Sequence, residues 1–161
     1  MKKHTAKITS KSIEQSGLPG DYKKAISEYI WNSFDANASK VEVNFDYNEI
    51  GYIHKFYIED NGMGIDITTL NETFGNFLDS QKNKSFSQTG YVKGKQGKGR
   101  FSFTTFCNKA KWITTFEREG KCFNYEIKIN KSNSVDYSVS EKKIIVGGQE
   151  TGTKVLFDDF F

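Results

Sequence analysis

The sequence predicts a two-layer α/β sandwich, one mixed and mainly antiparallel sheet with helices layered on one face. Three observations predict it. An amphipathic helix near the N-terminus leads straight into a hairpin, short strands separated by glycine turns fill the second half, and 14 Phe, 8 Tyr and 2 Trp against one Pro provide a large core with few chain breaks. At 161 residues the chain suits one domain, which at that size buries roughly two thirds of the surface its unfolded form exposes.

Residues 1–20 are polar and end in the turn signal Gly17-Leu18-Pro19-Gly20, so they read as an N-terminal arm to a domain spanning 21–161. Across 21–36, Ala25, Ile26, Tyr29, Ile30 and Ser33 recur at helical spacing, while Glu28, Asn32 and Asp35 stand at i, i+4 and i+7 on a separate face. Alternation at Val41, Val43 and Phe45, and again at Phe56 and Ile58, gives a hairpin around a turn at 48–51 that runs into Asp60. Residues 67–78 read as a helix. The stretch 80–99 is rich in Gly, Ser, Asn, Gln and Lys, and so long an irregular segment is uncommon in a compact domain unless it has a function; it is the candidate lid. Residues 99–106 read as a helix buried by Phe101, Phe103 and Phe106, and strands follow at 111–116, 121–129, 134–139, 142–146 and 153–157. Strict alternation of Phe123, Tyr125, Ile127 and Ile129 gives the second of these strands one core face.

A formal charge of +3, from 23 Lys and Arg against 20 Asp and Glu, is too balanced to signal nucleic-acid binding, which stays possible but unsupported. The excess is local: Lys82, Lys84, Lys93, Lys95, Lys98 and Arg100 fall within 81–100 with no acid among them. Cys107 and Cys122 have neither Cys-x-x-Cys spacing nor a His cluster, so no metal site or disulfide framework is expected. No run of 18 apolar residues occurs, and the expected setting is soluble and cytoplasmic, with no membrane contact.

Four motifs carry the functional information: Glu28-x-x-x-Asn32-x-x-Asp35, Asp60-Asn61-Gly62-Met63-Gly64, Gly94-x-x-Gly97-x-Gly99 and Gly152-Thr153. Magnesium on nucleotide phosphates takes oxygen ligands and keeps waters, so Asn32 alone can serve as its protein ligand, while Glu28 on the same face can deprotonate an attacking water. An isolated helix with these residues would equally be a solvated amphipathic one. Asp60 can accept from an exocyclic amine such as that of adenine, with Gly62, Met63 and Gly64 allowing close approach of a flat ring; alone, Asp-Asn-Gly is a plain turn signal. Gly94, Gln96, Gly97, Lys98, Gly99 and Arg100 lead into a helix and can turn N–H groups and cations toward phosphates, without matching the P-loop or the dinucleotide fingerprint. Thr153 can donate its hydroxyl to Asp60 or to a bridging water.

As an ordered set, these motifs resemble the GHKL superfamily of ATPases, which includes the gyrase B subunit, Hsp90, histidine kinases, MutL and the microrchidia ATPases and shares the Bergerat nucleotide-binding fold. The resemblance spans about 21–157. It implies that Glu28 is the general base, Asn32 the Mg²⁺ ligand, Asp35 the acid closing the helix motif, Asp60 the adenine-binding aspartate with Gly62, Met63 and Gly64 lining the base, Gly97 and Gly99 the lid-hinge glycines, and Thr153 the threonine near adenine. Ser80-Gln81-Lys82 is similar to the Ser-Lys region of the hydrolysing branch, with an inserted Gln, which makes Lys82 a further candidate phosphate contact. Histidine kinases usually lack a glutamate where Glu28 stands and carry a basic residue where Asp35 stands, so the hydrolysing branch is the closer likeness.

The resemblance therefore implies an Mg-dependent module that binds ATP and ADP and hydrolyses ATP, its lid closure driving conformational change or homodimerisation of a larger protein. A γ-phosphate-sensing Lys or Arg is expected from a following domain, so turnover by this portion alone is expected to be slow. The alternatives are a non-hydrolysing ATP sensor or interaction module and a histidine-kinase-type phosphotransfer domain.

Overall fold

Asp21 opens the first helix. Its side chain accepts from the Lys23 amide at 2.9 Å, one of the donors a helix start leaves unpaired, and α1 then runs over Tyr22–Asp35. The turn beyond it passes through Asn37, in the left-handed region at φ 59°, with the Ala38 amide donating back to the Ser33 carbonyl. A computed structural model describes residues 1–5, 21–71, 99–133, 136–145, 148 and 150–161.

Eight strands form one sheet: β1 (Lys2–Thr5), β2 (Val41–Tyr47), β3 (Ile53–Asp60), β4 (Cys107–Arg118), β5 (Lys121–Asn130), β6 (Asp136–Val139), β7 (Lys143–Ile145) and β8 (Gly152–Phe160). Their order is β1-β6-β5-β4-β8-β3-β2, with β7 also on β5, and every pairing among the described residues is antiparallel. Glu119 and Gly120, both at positive φ, make the two-residue turn that joins β4 to β5 in a matching twist.

The period of two divides the sheet into unlike faces. Phe56, Ile58, Trp112, Phe116, Tyr125, Ile127, Val155 and Phe157 point to the covered face and are buried. α1 lies on that face: the Tyr29 ring sits edge-on to Phe157 at 4.9 Å and tilted against Trp112 at 6.4 Å. A 3₁₀ helix, Gly99–Thr105, adds buried Phe101 and Phe103 to the same layer. On the opposite face stand ion pairs such as Lys154–Glu59 and Lys128–Glu126, whose half-exposed partners contribute little stability. The α/β sandwich is thus the observed architecture.

Some elements differ in extent from the sequence reading. Lys2–Thr5, within the expected arm, is an edge strand paired with β6, and residues 6–20 lie outside the described residues. The helix expected over 67–78 begins as a 3₁₀ turn, Ile67–Thr69; residues 72–78 lie outside the described residues, as do 134, 135 and 146 of two expected strands. β4 and β8 are longer than alternation alone suggests, because each is paired on both sides.

Candidate functional site

The end of β3 is where three of the motifs meet. Asp60 Oδ2 accepts from the Ser33 hydroxyl of α1 at 2.8 Å, while Oδ1 accepts from the Gly62 amide at 2.9 Å and from the Thr153 amide of β8 at 3.2 Å. A carboxylate offers about four lone-pair sites, so these donors leave one on Oδ2 for an incoming N–H. Ser33 falls on the buried stripe of α1 with Ala25 and Tyr29, and there the sequence shows it only as a packing residue; a hydroxyl on an otherwise apolar stripe is the signal for its second role. Thr153 meets Asp60 through its backbone N–H, whereas the sequence suggested its hydroxyl. That hydroxyl lies 2.9 Å from the Thr114 hydroxyl instead, because Asp60, Thr153 and Thr114 are successive cross-strand partners on β3, β8 and β4.

Residues 61–66 fold across this row. Asn61 turns its side chain toward the α1–β2 connection, accepting from the Ser39 and Lys40 amides, and the Met63 amide donates to the Ala36 carbonyl, the first residue past α1. Gly64 is at φ 73°, and a Cβ there would lie 2.0 Å from the Thr115 carbonyl oxygen. Only glycine fits that approach. Beyond it, the Ile65 amide donates to Thr114 Oγ1 at 2.9 Å and the Ile65 carbonyl accepts from the Tyr125 hydroxyl at 2.9 Å. Met63 is left 55% exposed at the outer side of the loop, where an apolar side chain has a ligand or solvent as its neighbour.

The third motif reaches α1 at its last glycine. A Cβ on Gly99 would stand 3.0 Å from Asn32 Nδ2 and 3.4 Å from Glu28 Oε2, so that backbone lies directly against the two residues expected to handle metal and water. Tyr29, one helical residue beyond Glu28, fastens this junction: its buried hydroxyl donates to the Arg100 carbonyl at 3.0 Å and accepts from the Phe103 amide at 3.1 Å. Burial raises its pKa well above the ordinary tyrosine value. Arg100 is turned inward, its guanidinium 4.8 Å over the Phe101 ring, and burial lowers its pKa to about 10, so it remains a cation at neutral pH. Asp35 ends α1, half-buried, one turn past Asn32. Lys82, Gly94, Gln96, Gly97 and Lys98 lie outside the described residues.

Asp60, Gly152 and Thr153 also border a cavity of about 370 Å³ on the polar face of the sheet, whereas a larger cavity of about 590 Å³ near Lys3 and Lys128 contains none of the four motifs. Among the described residues no group of three or more His, Cys, Asp or Glu could hold a metal by itself. A cation held by Asn32 would draw its remaining ligands from phosphate and water, which suits magnesium. Burial pushes the Cys107 thiol up to about 12, so it is not a nucleophile at neutral pH, and no described helix is long and apolar enough to cross a membrane.

Comparison with known proteins gives the same frame. The family described as histidine kinase-, DNA gyrase B- and HSP90-like ATPase matches residues 21–153, most of the chain. No curated protein matches it. Among solved structures, the N-terminal domain of a DNA repair protein superposes with a TM-score of 0.56 at 22% identity, covering 89% of this chain and 37% of that one. The ATPase region of Saccharomyces cerevisiae topoisomerase II bound to ICRF-187 (dexrazoxane) gives 0.58 at 20% identity, covering 84% and 37%. At these identities the likeness is one of fold, and this chain spans little more than a third of either.

Proposed function

Because the chain belongs to the histidine kinase-, DNA gyrase B- and HSP90-like ATPase family, and is therefore an ATP-binding module, we propose that it hydrolyses ATP with Glu28 as general base. The observation that carries the reading is the convergence at one place of motifs far apart in sequence: Ser33 and Thr153 on the Asp60 carboxylate, and Gly99 against Glu28 and Asn32. Asp60 accepts from the exocyclic amine of adenine. Gly62, Met63 and Gly64 form the loop beneath the base, and phosphates extend toward the start of the 3₁₀ helix at Gly99. Glu28 takes a proton from the water that attacks the γ-phosphorus as the bond to the leaving ADP breaks. Asn32 would hold Mg²⁺ there through its amide oxygen, and the ion would supply charge neutralisation on the phosphates.

Residues 80–99 act as the lid in this proposal on the strength of their composition and their lysines, closing over the triphosphate and favouring assembly of two copies.

The experiment separates binding from chemistry. Glu28→Ala should bind Mg-ATP as the wild type does in calorimetry and lose phosphate release, since a general base acts on the water and not on the ground-state nucleotide. A Glu28→Ala protein that turned over at the wild-type rate would remove Glu28 from the chemistry. No ATP binding by the wild type would remove the whole reading.

A further inference from the structure

We propose that Thr114 is a positioning residue for the base: its hydroxyl sets which way the Thr153 hydroxyl points and so lets the site read a ring nitrogen beside the amine that Asp60 reads. The inference rests on the adenine-nucleotide reading of the Asp60 site. Thr114 is fully buried on the covered face of β4, between Trp112 and Phe116. Its oxygen accepts from the Ile65 amide at 2.9 Å, lies 2.9 Å from Thr153 Oγ1, and stands 3.4 Å from the Gly152 carbonyl.

Each hydroxyl has one hydrogen, so the pair has two arrangements. In one, Thr153 donates to Thr114, which must send its own hydrogen to the Gly152 carbonyl at the limit of a hydrogen bond. In the other, Thr114 donates to Thr153 at 2.9 Å, and the Thr153 hydrogen is released toward the site. Both arrangements keep the 2.9 Å contact, and the second is favoured because it spares Thr114 the 3.4 Å bond to the Gly152 carbonyl while its oxygen still accepts from the Ile65 amide. Thr153 is then a donor next to an acceptor, Asp60, and the two are in direct cross-strand register. That pairing complements a ring nitrogen flanking an exocyclic amine, the edge adenine presents. A carbonyl flanking a ring N–H would meet a carboxylate and be rejected.

The test uses ATP and its 1-deaza and 7-deaza analogues, each of which replaces one ring nitrogen flanking the amine by carbon, with affinities from calorimetry on the whole chain. The wild type should bind one analogue about tenfold more weakly than ATP, the value of one hydrogen bond. Thr114→Val should weaken ATP by about the same factor while leaving that analogue nearly unchanged, so the discrimination disappears, and Thr114→Ser should restore it. A purely structural threonine would weaken all three nucleotides alike, and that result overturns the proposal. So does a wild type that binds both analogues as tightly as ATP. If Thr114→Val does not fold, Thr153→Val must abolish the same discrimination, and an unchanged ratio there overturns it too. A failure of the underlying reading is distinguishable, since then no nucleotide binds the wild type at all.

Discussion

Replacing Asp60 by asparagine separates the carboxylate's structural partners from its ligand. The Gly62 and Thr153 amides both donate to Oδ1, so an amide introduced there places its oxygen on that side and keeps both bonds. Its nitrogen then faces Ser33. That hydroxyl can reverse, accepting from the new amide and donating to the Tyr29 carbonyl, which already lies 3.1 Å away. The fold should therefore lose no more than about 1 kcal/mol, or a shift of about 2–4 °C in Tm for a domain of this size. The ligand fares differently, because the second amide hydrogen now occupies the lone-pair site left on Oδ2 and opposes the amine of the base. A charge-assisted bond worth about 1.5–3 kcal/mol is lost and an unpaired donor costs about 1–3 more, so the Kd for ATP should rise by roughly two to four orders of magnitude. Calorimetry with ATP and ADP, beside a thermal melt of the same Asp60→Asn protein, reads both halves. Affinity within threefold of the wild type at an intact melt would show that Asp60 does not hold the base, and collapse of the melt would show that the carboxylate serves the fold first.

Two further outcomes follow from the packing around the site. Gly64→Ala would put a methyl 2.0 Å from the Thr115 carbonyl in a backbone at φ 73°, and should cost about 3 kcal/mol or more in chemical denaturation; Gly51→Ala, also at positive φ but with open space around it, should cost much less, and equal losses would contradict the close-approach argument. Tyr29→Phe removes the hydroxyl that bridges the Arg100 carbonyl and the Phe103 amide, and should cost about 1–3 kcal/mol with faster hydrogen exchange at Phe103; an unchanged exchange rate there would mean that the 3₁₀ helix does not depend on α1 for its anchoring.

Local pattern in the sequence was enough for the elements whose stability is local or whose faces differ sharply. Asp21 and the Ala25, Tyr29, Ser33 stripe define α1 to within a residue, and the alternation of Tyr125, Ile127 and Ile129 defines the inward face of β5. β1 escaped because Lys2-Lys3-His4-Thr5 carries no apolar alternation; the backbone of β6 holds it as a strand, and backbone pairing leaves no trace in side-chain pattern. The four motifs were legible as motifs, since glycines, carboxylates and an amide at fixed spacing have a chemical meaning of their own. What only the tertiary structure decided is which atoms meet. Asp60 and Thr153 are 93 residues apart, and the register of β3 on β8 delivers the Thr153 amide, not its hydroxyl, to the carboxylate. The same register continued onto β4 places Thr114 beside Thr153 with nothing in the run Trp112-Ile113-Thr114-Thr115 to single it out. A side-chain period of two shows which face a residue takes, but a cross-strand neighbour is set by the closure of long loops and the packing of the whole sheet, a sum over contacts that no single segment contains.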